Sequence, residues 1–190
     1  WLQYLPENYY TDLMIGASPQ WIRQHIHSEW GQDLSGEPVY GESFSSHVHI
    51  AKAPLKSFPD RPLLIGVDPG LNPAVLIGQL APNGQLWILR EIHKPNLLFG
   101  DFINRFVVPE LQAFYPLHKM LWVMDPTGDS RTAMSNTTAL GVLRGLGFTV
   151  ILAQTNELSP RLRAAEHWLT TMVGDQPALQ IDPRCTVLIE

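Results

Sequence analysis

The sequence has one cysteine, no long apolar run and no segment that resembles a targeting signal. Cys185 is the single cysteine among 190 residues, which excludes a disulfide within the chain and favours an intracellular setting. No apolar stretch approaches the roughly 20 residues that cross a bilayer, so we expect a soluble protein without a membrane partner. The chain starts at Trp1 without the basic start or the cleavage site of a signal peptide, and we interpret it as a piece of a longer protein.

Two further features of binding proteins are also missing. The pattern GxxxxGK[ST] does not occur, so the sequence shows no ATP-binding motif. The net charge is −5 with histidine neutral, whereas proteins that hold nucleic acid electrostatically are usually basic. This charge counts against a large DNA-binding surface. It leaves open a local basic rim, or a site whose acids are neutralised by divalent metal ions.

The chain changes character near residue 61. Residues 18–31 begin with Ser-Pro, end with Gly and carry apolar residues at helical spacing, which predicts a helix. Residues 32–61 are rich in Gly, Ser and Pro, with short extended pieces predicted at 39–40 and 47–50. We interpret residues 1–61 as a separate region that ends in a linker or arm packed on the main domain.

From residue 62 the pattern predicts a mixed α/β sheet. Apolar runs at 63–68, 74–80 and 85–92, with the tight-turn dipeptide Asn83-Gly84 between the last two, predict three consecutive antiparallel strands. Runs at 119–125 and 148–154 alternate with helical segments, so they should be parallel strands buried on both faces.

Three helical segments are predicted among these strands. The first covers 98–115 and is interrupted or restarted at Pro109. The second covers 136–147, is capped by Asn136 or Thr137 and ends at Gly147. The third covers 159–174, with a proline in its first turn and Gly174 at its end. One further element is expected within 178–190.

Two of the predicted strands end on an aspartate that a proline follows: Asp68-Pro69-Gly70 and Asp125-Pro126. Proline stops the strand and keeps the aspartate extended. Ligands of such sheets bind at the carboxyl ends of the parallel strands, and an ionised carboxylate there needs a partner. If the two strand ends are neighbours, the two carboxylates suit Mg²⁺ or Mn²⁺, and two such ions about 4 Å apart can hydrolyse a phosphodiester.

Other interpretations of these residues remain open. A single Asp-Pro-Gly is more often a turn with a side-chain cap, whereas two copies after apolar strands favour a metal site. Asp129 is a weak candidate for the same site and has an alternative role as a turn or capping residue. His47 and His49 would share a face of a strand, but a third zinc ligand is missing.

Taken in order, these segments resemble the large terminase subunit of tailed bacteriophages. The run "LPENYYTDLMIGASPQWIRQHIHSEWG" with "GEPVYGESFSSHVHIAKAPL" resembles the end of the ATPase region and the linker. "LLIGVDPGLNPAVLIGQLAPNGQLWILREIH" resembles the opening of the nuclease domain, and "DPTGDSRT" and "LRGLGFTVILAQTNELSPRLRAAEHWLTTMVGDQPALQIDPRC" continue it. The resemblance therefore implies an ATPase end and linker at 1–61 and a nuclease domain at 62–190, truncated at its C-terminus.

The resemblance implies a DNA-packaging enzyme of the host cytoplasm. Its nuclease domain has an RNase H-like fold of the resolvase and integrase type, and it cuts concatemeric double-stranded DNA with two Mg²⁺ or Mn²⁺ ions. The terminase small subunit and the portal are implied partners. ATP hydrolysis is expected only in the full-length protein, because the ATPase motifs are absent from this chain.

The family's acids are carried over onto two residues here. Asp68 and Asp125 correspond to the acids of the first and fourth strands, and a third acid is expected beyond residue 190. Asp182 is an acid near the end of the chain that does not match the family's third motif, and it is kept as a weak candidate. Asn156 and Arg161 fit the family's Asn-to-Arg spacing and are expected to shape a helix start, with DNA contact as a further role.

Two alternatives compete with an active nuclease. The first is a catalytically incomplete RNase H-like module that docks on other parts of the packaging motor, which the negative charge favours and the pair of acids does not. The second is an ATPase of the actin and sugar-kinase type, which shares the strand order. That class needs Gly- and Thr/Ser-rich phosphate loops, and "DPGLNPAV" and "DPTGDSRT" have few such residues.

Overall fold

A six-stranded mixed sheet forms the centre of the computed structural model, which describes residues 39–41, 43–129 and 137–189. The strand order across this sheet is β5-β4-β1-β2-β3-β8, and β6 and β7 form a separate hairpin. The strands are β1 (Leu63–Asp68), β2 (Ala74–Leu80), β3 (Leu86–His93), β4 (Met120–Met124), β5 (Val150–Leu152), β6 (Met172–Val173), β7 (Gln176–Pro177) and β8 (Leu179–Ile181).

Six short to medium helices connect and cover these strands. They are α1 (Ser46–His49), α2 (Phe99–Phe102), α3 (Val108–Phe114), α4 (Ala139–Gly145), α5 (Leu158–Thr170) and α6 (Thr186–Ile189). A π-helical segment, Ile103–Val107, joins α2 to α3, and a 3₁₀ turn, Pro126–Asp129, follows β4. All belong to one compact unit, Glu42–Glu190. Within the described ranges, no helix has the length and apolar character needed to cross a membrane.

The strand pairing confirms the predicted mixed sheet. β1, β2 and β3 form an antiparallel meander, and β1–β4 and β4–β5 are parallel pairs. Gly84 in the turn between β2 and β3 has a φ of 92°, the left-handed region in which glycine carries no steric cost. The further element expected within 178–190, whose type the sequence left open, begins with β8, which adds a parallel strand beside β3.

The hydrophobic core lies on one face of the sheet. Alternate residues of β1 point into it, and helices α2 to α4 with the π-helical segment cover it. The expectation that β4 and β5 are buried on both faces is wrong. Val123 and Ile151, which pair on the other face, remain 36% and 51% exposed. The core comprises Leu63, Ile65, Val67, Val75, Ile77, Leu89, Phe102, Ile103, Val107, Leu111, Tyr115, Trp122, Met124, Leu140 and Leu143.

The predicted interruption at Pro109 takes the form of a wider helical turn. Proline has no N–H to donate to the carbonyl four residues before it, so a regular α-helix is unfavourable at that point. The π-helical segment ends at Val107, and Pro109 lies in the first turn of α3. The helix therefore continues through the proline without breaking.

Two predicted helix boundaries are wrong. The cap of α4 is Thr138, whose Oγ1 accepts a hydrogen bond from the Gly141 N–H at 2.9 Å. Asn136, one of the predicted caps, lies outside the described residues, whereas Gly147 follows the helix with a φ of 83°, as expected. Helix α5 ends at Thr170 because the chain turns extended at Thr171 and enters the β6–β7 hairpin, where Gly174 forms the turn.

Residues 43–61 pack on the sheet as an arm. The extended piece predicted at 47–50 is instead helix α1, and the Ala51 N–H then donates to the Ile181 carbonyl at 2.9 Å, beside a parallel bridge between Ile50 and Ile181. The buried Gln79 side chain accepts from the Phe58 N–H and donates to the carbonyls of Phe58 and Arg61. The division after residue 61 stays a prediction, and the helix predicted at 18–31 lies outside the described residues.

Candidate active site

Asp68 and Asp125 lie side by side at one end of the sheet. Asp68 is the last residue of β1, and Asp125 directly follows β4. The two strands are parallel neighbours whose last pair is Val67 with Met124, so each aspartate comes one residue after this pair. Neighbouring strands are about 4.8 Å apart. The two aspartates therefore follow adjacent strand ends at the same edge of the sheet, and their role as metal ligands stays a prediction.

Both aspartates line an open cleft of about 1040 Å³. Its walls come from the turn after β1, the start of α2, the segment after β4, helix α4 and the start of α5. The polar and charged lining residues are Asp68, Asp101, Asn104, Asp125, Thr127, Thr137, Thr155 and Arg161.

The turn after β1 orients the Asp68 carboxylate. The Gly70 N–H donates to Asp68 Oδ1 at 3.1 Å. A β-carbon at position 70 would lie 3.3 Å from the same oxygen, tighter than nine in ten such contacts. Pro69 ends the strand and Gly70 lets the backbone fold back onto the carboxylate, which explains the Pro-Gly that follows this strand.

Thr127 orients the Asp125 carboxylate. Both its N–H and its hydroxyl donate to Asp125 Oδ1, each at 2.7 Å. The hydroxyl bond is the largest cause that lowers the pKa of Asp125; burial opposes it, and the Thr127 N–H and Arg161 add to it. On the other oxygen, Oδ2 lies 3.7 Å from Arg161 Nη1. Asp125 is therefore ionised at neutral pH.

The arrangement fits a divalent cation through its two carboxylates. Within the described ranges, hydrogen bonds from N–H and O–H groups reach only the Oδ1 atom of each, and Oδ2 of Asp125 lies 3.7 Å from Arg161 Nη1. Hard ions such as Mg²⁺ and Mn²⁺ prefer carboxylate oxygens. The same described residues contain no group of three or more His, Cys, Asp or Glu side chains placed to share a metal ion.

The two weaker candidates lie elsewhere. Asp129 is exposed at the end of the 3₁₀ turn and is not among the residues that line the cleft. Asp182 follows β8, with β2 and β3 between β8 and β1. It is fully buried, and both of its oxygens are used: Oδ1 accepts from the Arg184 N–H and Nε, and Oδ2 accepts from Arg184 Nη2 and the Leu55 N–H.

Asp182 is therefore a structural residue, and we do not retain it as a metal ligand. Burial alone would raise the pKa of Asp182, but the hydrogen bonds from Arg184 and Leu55 outweigh burial and hold the pKa below its usual value. Asp182 also precedes a proline, like Asp68 and Asp125. The aspartate of the Asp-Pro dipeptide thus lines the cleft at two strand ends and is buried in hydrogen bonds at a third.

Two polar residues of the cleft were missed from the sequence. Asp101 and Asn104, three positions apart on the helix after the meander, share a helix face and line the cleft. The sequence does carry a signal, because both polar residues interrupt an apolar stretch at helical spacing. Nothing in the sequence shows which strand end that helix faces. His49, one of the two histidines weighed for zinc, is buried, and its Nε2 lies 2.9 Å from the Leu169 carbonyl oxygen.

Arg161 reaches the cleft from the first turn of α5. Its Nη1 donates to Asn156 Oδ1 at 3.1 Å, so a hydrogen bond joins the two residues across the helix start. The guanidinium then lies near Asp125. Arg161 brings a positive charge next to the Asp125 carboxylate.

Comparison with known proteins finds similarity at the level of structure. No family model matches the chain, and no curated protein matches it by sequence. The structure of a large terminase from a thermophilic bacteriophage, in complex with ADP, aligns with a TM-score of 0.63 and 14% identity, covering 98% of this chain and 43% of that one. The P22 large terminase nuclease domain aligns with a TM-score of 0.57 and 8% identity, covering 77% of this chain and 73% of that one.

These alignments confirm the fold that the sequence motifs implied. The chain spans less than half of the length of the thermophilic phage terminase. The alignment with the P22 nuclease domain extends over most of both chains. The chain has the RNase H-like fold of the phage large terminase nucleases.

Proposed function

We propose that this chain is the metal-dependent DNA endonuclease domain of a phage DNA-packaging terminase large subunit. The observation that carries the proposal is the pair of carboxylates, Asp68 and Asp125, at adjacent parallel strand ends in an open cleft. The shared fold with large terminases supports it. Double-stranded DNA is the proposed substrate, and cutting of concatemers is the proposed reaction.

Asp68 and Asp125 are the proposed ligands of Mg²⁺ or Mn²⁺. A pair of such ions supplies an activated water and stabilises the leaving oxygen of a phosphodiester. The chain's own residues prepare the ligands: the Gly70 N–H holds Asp68 Oδ1, and Thr127 holds Asp125 Oδ1. These bonds fix both carboxylates in orientation and keep Asp125 ionised, which is the form that binds a cation.

The remaining roles belong to the longer protein that the comparison suggests. Contacts with a small subunit and a portal, and ATP hydrolysis, are proposals for the whole terminase and not for this chain alone. A third acid ligand after residue 190 is likewise a proposal. Its role would be to complete the donor set of Asp68 and Asp125, because the described residues contain no group of three or more side chains placed to share a metal ion.

Nicking of supercoiled plasmid with Mn²⁺ or Mg²⁺ tests the proposal. The assay compares the unaltered protein with Asp68→Asn and Asp125→Asn, on this chain and on the complete gene product. Both substitutions should abolish nicking, because each removes a charged ligand and keeps the side-chain shape. Asp129→Asn is the matched control, since Asp129 is exposed and close in sequence to Asp125 but outside the cleft. Nicking that persists in either test variant would remove that residue from the mechanism.

A catalytically incomplete docking module is the second candidate. It is favoured by the lack of a third metal-binding side chain near the two aspartates among the described residues. Calorimetric titration with Mn²⁺ separates the two candidates. Binding that is lost in Asp68→Asn supports the nuclease, whereas no binding by the unaltered chain or by the complete gene product supports the docking module.

A further inference from the structure

Arg161 is the one cationic side chain among the described residues that line the cleft. The same cleft holds three carboxylates: Asp68, Asp101 and Asp125. A phosphodiester brought to this surface meets net negative charge, so it needs a positive partner there besides any metal ion. Arg161 is the residue of this chain that is placed to supply it.

The contact between Arg161 and Asp125 is weak enough for another acceptor to replace it. Its Nη1 lies 3.7 Å from Asp125 Oδ2, beyond hydrogen-bond range, and the Arg161 side chain is 57% exposed. Exposed ion pairs of this kind contribute little to stability. A guanidinium carries five N–H donors, and within the described ranges only the bond from Nη1 to Asn156 uses one. The remaining N–H donors of the guanidinium are available to another acceptor.

We propose that Arg161 binds a phosphate of the DNA strand in the cleft, and that its contact with Asp125 is its resting position. This inference rests on the proposed function. When Asp125 binds a divalent ion, the ion neutralises the carboxylate charge. The guanidinium of Arg161 then loses its ionic partner. The planar fork of arginine matches two phosphate oxygens. Asn156 keeps the guanidinium on the cleft side of α5 during the exchange.

Helix α5 supplies a matched control. Arg163 is exposed two positions further along the same helix, and it is not among the residues that line the cleft. Residues two apart on a helix face different sides. Arg161→Gln and Arg163→Gln therefore remove the same charge from the same helix, with the same change in net charge and in side-chain size.

Binding of a short DNA duplex, followed by fluorescence anisotropy at several salt concentrations with Ca²⁺ present, tests the proposal. Arg161→Gln should weaken binding about tenfold, as expected for one charge-assisted contact. It should also reduce the slope of log Kd against log salt by about 0.9, the value for one phosphate contact. Arg161→Lys should keep the slope and lose part of the affinity, because lysine acts as a point charge. Arg163→Gln should change the affinity less than about twofold, which is within the small effect of an exposed charge.

Mn²⁺ titration without DNA tests the resting position. Arg161→Gln should bind Mn²⁺ more tightly than the unaltered chain, because no guanidinium competes for Asp125. Weaker Mn²⁺ binding in this variant would show that Arg161 supports the metal site, and it would overturn the resting-position part of the proposal. Equal DNA affinities and slopes for Arg161→Gln and Arg163→Gln would overturn the phosphate contact.

Different outcomes would contradict the proposed function and the role of Arg161. If the unaltered chain binds neither DNA nor Mn²⁺, the proposed function fails and the role of Arg161 fails with it. If the unaltered chain binds both and Arg161→Gln behaves like Arg163→Gln, only the role of Arg161 fails. Thermal unfolding of each variant checks that the exposed substitutions leave the fold intact.

Discussion

Val67 of β1 and Met124 of β4 form the last pair of a parallel ladder, and an aspartate follows each of them. Both residues are buried in the core, which fixes the register of the two strands. A shift by one residue would expose one of these side chains and move the two aspartates apart. The hydrophobic core therefore sets the spacing of the two carboxylates.

Gly70→Ala should weaken divalent-ion binding with little loss of stability. The new β-carbon would lie 3.3 Å from Asp68 Oδ1, so the carboxylate has to shift by a few tenths of an ångström from the position in which the residue-70 N–H holds it. The measurement is calorimetric titration with Mn²⁺ beside thermal unfolding. Gly100→Ala is the control, because Gly100 also lines the cleft and its β-carbon would have no heavy atom within 4 Å. Equal Mn²⁺ affinities for the two variants would contradict the role given to Gly70.

Thr127→Val should raise the pKa of Asp125. The hydroxyl of Thr127 donates to Asp125 Oδ1 at 2.7 Å and stabilises the ionised carboxylate, so its removal favours the protonated form. A carboxylate whose pKa is lowered by folding stabilises the protein above its unfolded pKa and loses that stabilisation as pH falls through the folded pKa. In the variant, this acid-dependent loss of stability should shrink.

The carboxyl chemical shift of Asp125, followed by NMR against pH, measures this effect directly. The titration midpoint should move to higher pH in Thr127→Val, and the acid limb of any nicking activity should move in the same direction. Thr155→Val is a suitable control, since Thr155 lines the cleft but its hydroxyl accepts from the Glu157 N–H. An unchanged midpoint would show that the N–H of residue 127 alone sets the pKa.

Asp182→Ala should destabilise the fold without changing divalent-ion binding. The substitution leaves the Leu55 N–H without its acceptor, which costs about 2 kcal/mol in the free energy of unfolding. Because the pKa of Asp182 is lowered in the fold, its contribution is present above the unfolded pKa and is lost as pH falls through the folded pKa. Urea unfolding at pH 7 and at acid pH should show a difference between the variant and the unaltered chain that narrows toward acid. A loss of Mn²⁺ binding in the folded variant would return Asp182 to the metal candidates.

Cys185 should be unreactive in the folded protein. It is fully buried, and burial raises the pKa of its thiol to about 12. The thiolate is the reactive form, so at pH 8 the folded chain should react very slowly with a thiol reagent such as DTNB. In urea the same chain should release one equivalent rapidly. Rapid reaction without denaturant would mean that the region around α6 opens readily.

The sequence predicted the parts of the fold that local chemistry determines. The apolar runs and the Asn83-Gly84 turn were sufficient to predict the antiparallel meander. The alternation of strands and helical segments that follows was sufficient to predict the parallel strands. The alternation of polar and apolar residues in His-Val-His-Ile led to a wrong prediction of an extended piece at 47–50. There, helix α1 is stabilised by the buried His49, whose Nε2 lies within hydrogen-bond distance of the carbonyl oxygen of Leu169, 120 residues away.

The site was predictable only where neighbouring strands determine it. Asp68 and Asp125 come together because parallel strands align their carboxyl ends. Asp182 shares the Asp-Pro pattern, yet its role depends on Leu55, 127 residues away in the chain. The placement of Asp101 and Arg161 depends on how helices pack over the sheet end, and no local pattern encodes that.

The attachment of the arm has a mechanical consequence. A pull on the chain ahead of residue 43 would load the contact between His49 and Leu169, then the Ile50–Ile181 bridge, and then the amide of Gln79, before any tension reached β1. These anchors lie in series along the arm. The chain is therefore held at three points before it enters β1 at Leu63, and the last of them, Gln79, lies on the strand that pairs with β1.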